Sequence, residues 1–430
     1  MLRLVSAVIT ILSVVTGTFA GDWPRFLGPN GDGTTNEKGF AVTWPKAGPL
    51  EKGSVSLGIG FAPPTVAEGK LFHFDRFGDK NRLTCRDAGT LAELWKVEYP
   101  TDYVDQYGFD PGPRCCPVVD RGRVFIYGPE GLLACYATKD GKEIWTCDTQ
   151  KQYHFQQNFF GVASTPFVEG DTLIVAVGGS PKGRAADFSQ VQSNGTCLVG
   201  FDVATGKEKW HCGEDLASYA SPVVVTMNGK RVGLYFARGG LLGFDPVAGK
   251  QLFRYPWRAK ILESVNAANP VVFENKIFIS ESYQLGSACV SWDGKELKTV
   301  WNDREKDRTD KSMLAHWCTP ILHEGHLYGC SSRHSPEADF RCVELATGTV
   351  KWAVTRTRWV TLIKVEDRLL ILGETGQVRL AKPNPEKYEE LAKFDADLSY
   401  PAWAPPVVSD GKLYVRGKEK LLVFDVAGKK

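Results

Sequence analysis

The chain has 430 residues, of which 43% are apolar and 24% charged, so it is long and apolar enough to bury several hydrophobic cores and is not intrinsically disordered. Its 44 glycines and 24 prolines, together with 11% aromatic residues, favour many short strands joined by tight turns over long helices. The formal net charge of +2 creates no field that would recruit nucleic acid or an anionic membrane, so we expect neither as a partner.

Residues 1–20 predict a cleaved signal peptide. Arg3 precedes a long apolar run, and the small residues Thr18 and Ala20 occupy the positions that a signal peptidase recognises before its cleavage site. The apolar run is shorter than the roughly 20 residues that a membrane anchor needs, and no later segment is apolar enough to cross a bilayer. We therefore expect a periplasmic or secreted protein without a membrane span, in which residues 21–49 form an N-terminal lead-in segment.

The rest of the chain repeats with a period of about 50 residues. One recurring element is an apolar strand, a glycine turn and a second apolar strand, as in PPTVAEGKLFHF and PPVVSDGKLYV. Seven copies open on a proline, and an eighth copy around Thr361 has the same pattern without it. The prolines are Pro64, Pro117, Pro166, Pro222, Pro270, Pro320 and Pro406.

A second element completes each unit with a strand, a turn around Thr/Ala-Gly-Lys and an aromatic residue. The clearest copies are LLACYATKDGKEIW, LVGFDVATGKEKW and FRCVELATGTVKW, which end on Trp145, Trp210 and Trp352. Glycine permits the tight turn because it adopts a positive φ freely, and the aromatic side chain is large enough to bury against a neighbouring unit. Four short strands per unit at this period are typical of a β-propeller blade.

The two ends of the repeat array predict how the ring closes. The last unit, VVSDGKLYVRGKEKLLVFDVAGKK, holds three strands and stops at the turn before the fourth. Residues 50–58 can supply the missing outer strand and remove both exposed sheet edges, although Gly53 stands where the other units have an aromatic. We predict an all-β protein over residues 50–430: an eight-bladed β-propeller of four-stranded antiparallel blades, closed by an N-terminal strand.

The spacing of Asp202 to Trp210 and of Ala346 to Trp352 resembles the tryptophan-docking motif of the PQQ-like (pyrroloquinoline quinone) repeat. That repeat is shared by quinoprotein alcohol dehydrogenases and by the outer-membrane assembly propeller. The opening DWPRFLGPNGDGTT (22–35) is similar to the lead-in of exported PQQ-like propellers of planctomycete-type bacteria. The resemblance is specific for the fold of residues 22–430 and only weakly informative about activity, because the blade motif is structural.

The links that precede the inner strands predict a ligand site at one mouth of the axial channel, since they emerge at the same end of the ring. They are rich in polar and aromatic side chains, among them Tyr219, Trp359 and Trp403. Six residues from four units break the repeat consensus, and we expect their side chains to converge around the axis. They are Arg114, Asn158, Glu263, Asn266, His316 and Trp317.

Cys115 and Cys116 join this candidate site through the resemblance. Adjacent cysteines resemble the vicinal disulfide that lies beside the cofactor in quinoprotein alcohol dehydrogenases. Neighbouring residues on a strand point to opposite faces, so joining them demands a distorted peptide. The sequence leaves two alternatives for this pair: two separately packed thiols or a vicinal disulfide. With these two cysteines, eight residues in all form the candidate ligand- or cofactor-binding site.

Two functions follow from these patterns. The first is an exported, monomeric binding module that holds a small polar ligand or a partner protein at the channel mouth, with no clear catalytic constellation. The alternative, implied by the resemblance, is a periplasmic quinoprotein dehydrogenase that oxidises an alcohol or sugar and needs PQQ and Ca²⁺. Ca²⁺ requires several oxygen ligands, and Glu263 with Asn266 or Asn269 is the only cluster of that type in the links.

Overall fold

The repeats fold into eight antiparallel sheets of four strands, arranged as the blades of a propeller. This computed structural model describes residues 21–41, 43–155, 159–181 and 188–428. The expected signal peptide and the candidate residue Asn158 lie outside those ranges. The prediction of an all-β, eight-bladed propeller is confirmed, and the chain order of the strands follows the repeat.

Each blade takes consecutive strands from the channel outwards. Blade 1 comprises β3 (Thr65–Ala67), β4 (Lys70–Phe77), β5 (Lys80–Asp87) and β6 (Glu93–Pro100), and blade 2 comprises β7 (Val118–Asp120), β8 (Arg123–Tyr127), β9 (Leu132–Ala137) and β10 (Glu143–Asp148). Blade 3 comprises β11 (Phe167–Glu169), β12 (Thr172–Ala176), β13 (Leu198–Asp202) and β14 (Glu208–Cys212). Blade 4 comprises β15 (Val223–Met227), β16 (Lys230–Ala237), β17 (Gly240–Asp245) and β18 (Lys250–Pro256). Blade 5 comprises β19 (Val271–Phe273), β20 (Lys276–Glu281), β21 (Gly286–Trp292) and β22 (Leu297–Asn302). Blade 6 comprises β23 (Ile321–His323), β24 (His326–Ser331), β25 (Asp339–Glu344) and β26 (Val350–Val354). Blade 7 comprises β27 (Val360–Val365), β28 (Arg368–Gly373), β29 (Gln377–Lys382) and β30 (Glu389–Asp395).

Blade 8 closes the ring with a strand from the other end of the chain. Its inner strands are β31 (Val407–Ser409), β32 (Lys412–Arg416) and β33 (Lys420–Asp425), and its outer strand is β2 (Leu50–Ser56). β2 pairs antiparallel with β33, with a bulge between Glu51 and Gly53. Closure by the N-terminal strand, predicted from residues 50–58, is therefore confirmed.

Helical structure is sparse in the described ranges. A short helix, α1 (Thr149–Tyr153), lies between blades 2 and 3, and the Asp148 carboxylate caps it by accepting from the Lys151 amide at 2.9 Å. Three single-turn 3₁₀ helices cover Phe188–Gln190, Arg308–Asp310 and Ser335–Glu337. Within those same ranges, no helix has both the length and the apolar character that crossing a membrane requires.

The docking aromatics pack on the turn glycines of the following blade. A Cβ built on Gly206 would lie 2.5 Å from the Trp145 ring, and one on Gly249 would lie 2.4 Å from the Trp210 ring. Both glycines also have a positive φ, so each position needs glycine for two reasons. At Gly53, where the aromatic is missing, Leu91 of blade 1 packs against the glycine instead, 2.9 Å from its built Cβ.

The lead-in segment lies across the end of the channel opposite the links. Trp23 is bridged to Val66 of blade 1, and the Pro24 carbonyl accepts from the Val119 amide of blade 2 at 2.8 Å. Arg25 Nη1 donates to the Val168 carbonyl of blade 3 at 3.1 Å. The segment then reaches blade 7, where β1 (Thr34–Thr35) pairs parallel with β27. Residues 22–35 thus form a floor under the channel.

All eleven cysteines are free thiols, and ten of them are buried. Cys115 and Cys116 are both fully buried, and they directly precede Pro117, the residue before β7. Burial raises the pKa of the Cys116 thiol to about 12, so the thiol stays protonated at neutral pH. The structure describes the pair as two separately packed thiols.

Candidate functional site

The axial channel holds a cavity of about 500 Å³ at the end where the links emerge. Phe26 and Leu27 of the lead-in segment line it together with residues of the links and of the first positions of the inner strands. The inner strands run away from the links, so the mouth is built by the links and the inner end is covered by the lead-in segment. The volume lies within the range of small-molecule sites.

One position of every link faces this cavity. It lies three residues before the proline that opens the inner strand, or before Leu362, which takes the place of that proline in blade 7. All eight residues line the cavity and all are half-buried. We call them the mouth ring; in blade order they are Phe61, Arg114, Ala163, Tyr219, Ala267, Trp317, Trp359 and Trp403.

A belt of hydrogen bonds holds successive links together just below the mouth ring. The amide of Thr165 donates to Ser221 Oγ at 2.9 Å, and the amide of Ser221 donates to Asn269 Oδ1 at 2.8 Å. The Asn269 amide continues the belt to Thr319 Oγ1 at 2.9 Å. Each side-chain oxygen accepts a hydrogen bond from a backbone amide of the preceding blade, so these polar residues position the mouth ring.

Three tryptophans of the mouth ring form one wall of the cavity. The ring centroids of Trp317 and Trp359 lie 4.5 Å apart, and those of Trp317 and Trp403 lie 5.3 Å apart. Trp359 Nε1 donates to the Ser332 carbonyl at 3.1 Å. The rings meet edge to face or tilted, which is the arrangement that aromatic quadrupoles favour.

A buried carboxylate orients Trp403 from behind. Glu374 is 1% exposed, and its Oε2 accepts from Trp403 Nε1 at 3.1 Å. Its Oε1 accepts from Arg358 Nε at 2.7 Å and from the Ser335 hydroxyl. These three donors satisfy the carboxylate, so Glu374 acts on the cavity through the position of the Trp403 ring.

Arg114 forms part of the opposite wall, and its charge is already paired. Nη2 lies 3.3 Å from the buried Asp105 carboxylate, and Nη1 donates to the Phe160 carbonyl at 3.0 Å. The guanidinium also lies over the rings of Phe61 and Phe160, at 5.7 and 5.5 Å from their centroids. Arg114 therefore joins two links and holds aromatic rings in place.

His316 packs among aromatic rings beside the tryptophan wall. Its ring centroid lies 4.9 Å from that of Trp317 and 5.8 Å from that of Tyr283, and no described residue accepts from or donates to its Nδ1. Burial lowers the pKa of His316 to about 3, and the positive charges of Arg333 and His334 act in the same direction. The imidazole is therefore neutral at physiological pH.

This low pKa predicts a pH-dependent stability. The unfolded chain takes up a proton at His316 near pH 6.5 and the folded protein only near pH 3, so stability is full above about pH 6.5 and falls as the pH drops towards 3. We expect His316→Phe to lose less stability than the parent between pH 7 and pH 4.5, as measured by urea unfolding at both pH values. Equal losses in the two proteins would contradict the neutral, buried imidazole.

The structure brings three of the eight candidate residues into the cavity lining: Arg114, His316 and Trp317. Glu263 is exposed and lies outside that lining, although it is near enough to Tyr283 for its charge to raise the pKa of that phenol. Asn266 is fully buried, and its Nδ2 donates to the Ala237 carbonyl at 2.7 Å. The amide donor of Asn266 is therefore used by the backbone of blade 4.

Sequence reasoning missed several residues of the lining, among them Phe61, Tyr283, Phe26 and Leu27. Phe61 precedes the first blade, Tyr283 lies between β20 and β21, and Phe26 and Leu27 come from the lead-in segment. The fixed offset before each proline would have identified Phe61, since it selects the whole mouth ring. No comparable signal exists for Tyr283 or for the lead-in residues, because their place depends on how distant segments pack.

The donor set of the cavity does not fit a Ca²⁺-bound quinone. PQQ carries three carboxylates, and among the described residues the lining offers them only Arg114, which Asp105 already neutralises. Ca²⁺ takes six to eight oxygen ligands, yet the described lining includes no carboxylate. In the described parts of the chain no group of three or more His, Cys, Asp or Glu side chains could hold a metal ion.

A family model described as "Outer membrane protein assembly factor BamB" matches residues 60–354, from the first link to the last strand of blade 6. The chain belongs to this family of PQQ-repeat propellers. The match confirms the resemblance that the tryptophan-docking motif carried.

Individual proteins similar to this PQQ-repeat propeller are distant. BamB from Moraxella catarrhalis superposes with a TM-score of 0.59 at 12% identity, covering 88% of this chain and 99% of that chain. The quinohemoprotein alcohol dehydrogenase from Comamonas testosteroni superposes with a TM-score of 0.49 at 14% identity, covering 95% of this chain and 81% of that chain. Likenesses at these identities show the fold alone.

One curated relative is similar in sequence. The quinohemoprotein alcohol dehydrogenase ADH-IIG from Pseudomonas putida is 24% identical over 155 residues. The matched segment covers 35% of this chain and 19% of the length of that enzyme.

Proposed function

We propose that the protein is an exported binding module that holds its ligand in the mouth cavity. The observation that supports this most strongly is the mouth ring itself: every one of the eight links sends a half-buried side chain from the same position into one cavity. Packing of the blades does not require this, because the hydrogen-bond belt and the docking aromatics already hold neighbouring blades together.

The composition of the mouth ring supports a binding role over a structural plug. Ala163 and Ala267 occupy positions where larger side chains would fill the channel, and the cavity of about 500 Å³ lies beside them. Phe109 and Tyr400 also line the cavity, yet they are 71% and 54% exposed. Exposed aromatic side chains around a cavity are typical of a surface that a ligand covers.

A substitution that fills the cavity would test this proposal. Ala163→Trp adds a ring inside the cavity without touching a blade interior, so we expect the variant to fold and melt like the parent. Small molecules that raise the melting temperature of the parent in a screen should have no effect on the variant. Lys260→Ala, exposed in a link and outside the lining, is the matched control and should respond as the parent does. Hits that raise the melting temperature of Ala163→Trp equally would place binding elsewhere.

Quinoprotein dehydrogenase activity is a second candidate, favoured only by the names of the relatives. The lining argues against it, because it offers neither a free cation for the PQQ carboxylates nor oxygen ligands for Ca²⁺. The decisive assay adds PQQ and Ca²⁺ to the purified protein and follows the reduction of an electron-accepting dye with alcohols and sugars. Turnover that the Ala163→Trp variant lacks would establish the dehydrogenase and overturn the non-catalytic module.

A further inference from the structure

We infer that the mouth cavity binds an uncharged small molecule with an aromatic or fused-ring body. This inference rests on the proposed function and names the class of ligand. The sequence predicted a small polar ligand, from the polar side chains of the links. The lining supports a different class, because it is mostly aromatic and apolar and because the Arg114 guanidinium and the Trp359 and Trp403 indole N–H groups are already bonded to the protein.

The walls offer ring faces and edges in quantity. Five members of the mouth ring are aromatic, and Phe160, Tyr283 and the lead-in residue Phe26 extend the aromatic lining. Aromatic side chains bind apolar rings through area burial and through offset or edge-to-face contacts. Planar ring systems match such walls better than flexible chains, since they lose less conformational entropy on binding.

An anion finds no free positive charge in this cavity. Among the described residues Arg114 is the cation of the lining, and Asp105 lies 3.3 Å from its Nη2. Its Nη1 is bonded to the Phe160 carbonyl. A buried charge without a partner is strongly disfavoured, so a carboxylated or sulfonated ligand would bind less well than its uncharged counterpart.

A cation finds its favourable positions already occupied. Cations bind over the faces of aromatic rings, but Arg114 lies over Phe61 and Phe160, and Arg333 lies 4.3 Å from the centroid of Tyr283. The three tryptophans pack against one another rather than around an open space.

A carbohydrate finds too few partners for its hydroxyl groups among the described residues. The two unpartnered nitrogens of the tryptophan wall, His316 Nδ1 and Trp317 Nε1, are buried atoms. Thr165 and Thr319 accept bonds of the belt, and Thr361 Oγ1 donates to the Ala404 carbonyl at 3.3 Å. Trp359 and Trp403 donate their indole N–H groups to the protein. Hydroxyl groups buried without hydrogen bonds lose binding free energy, so a sugar is disfavoured against an aromatic molecule of the same size.

Two fluorescent probes with one skeleton test the inference. N-phenyl-1-naphthylamine is uncharged, and 8-anilino-1-naphthalenesulfonate adds only a sulfonate to the same rings. We expect the parent to bind the uncharged probe at least about tenfold more tightly than the sulfonated probe, as measured by titration of probe fluorescence. Ala163→Trp should weaken binding of the uncharged probe by about tenfold or more, and Lys260→Ala, an exposed residue of a link outside the lining, should leave it unchanged.

The outcomes separate this inference from the proposed function. Equal or tighter binding of the sulfonated probe or of PQQ with Ca²⁺, lost in Ala163→Trp, would overturn the uncharged class and leave the binding module standing. Probe binding that neither Ala163→Trp nor Ala267→Trp weakens, or no probe binding by the parent, would overturn both. Ala267→Trp, on another link of the same ring, serves if Ala163→Trp does not melt like the parent.

Discussion

A protein that lacks residues 21–60 should lose its ring closure and about 5 kcal/mol or more of stability. The truncation removes β2, so β33 becomes an exposed edge, and it removes Trp23, whose burial alone is worth about 3–5 kcal/mol as a large side chain. It also strips acceptors from Arg416, which is 2% exposed and donates to the Gly60 carbonyl at 2.7 Å. An uncompensated buried guanidinium adds to the loss.

The measurement is a thermal melt by circular dichroism together with the rate of limited proteolysis. Deletion of residues 21–46 is the matched control, since it removes the floor of the channel and keeps β2. We expect that shorter deletion to lose less stability and a synthetic peptide of residues 50–58 to restore part of the loss in the longer one. A protein without residues 21–60 that melts cooperatively at the parent temperature would refute closure by β2.

Trp210→Ala should destabilise the protein by about 3–5 kcal/mol, as a buried large-to-small change. The ring is 9% exposed, packs on Gly249 of blade 4 and lies 6.0 Å from the Phe244 ring, centroid to centroid. Gly249 has no Cβ and the next blade cannot collapse onto it without moving its turn, so the cavity left by the indole would persist. Denaturant unfolding of parent and variant measures the difference.

Lys209→Ala is the control for that substitution. Lys209 precedes Trp210 on β14 and makes an exposed ion pair with Asp171 at 2.6 Å, which is worth less than about 1 kcal/mol. The two variants therefore alter neighbouring residues of one strand, one facing the next blade and one facing solvent. A loss below about 1 kcal/mol for Trp210→Ala would show that the docking aromatics do not hold the blades together.

The blades could be predicted from the sequence because their determinants are local. A glycine turn and an aromatic residue at a fixed spacing specify each hairpin, as around Gly206 and Trp210. The same aromatic side chain packs against the following blade. Closure was also predictable, since a three-stranded last unit requires a fourth strand. Only the structure explains Gly53, where Leu91 from the next blade takes the space of the missing aromatic.

The sequence by itself determined the fold, the closing strand and the links that build the mouth, and among its candidates it included Arg114, His316 and Trp317. Only the tertiary structure decided which polar side chains remain for a ligand. Asn266 and Arg114 both stand in links, yet Asn266 bonds the backbone of blade 4 and Arg114 bonds Asp105. The reason is geometric: a hydrogen bond needs its atoms within about 3 Å, and which backbone groups approach a side chain that closely depends on how neighbouring blades pack.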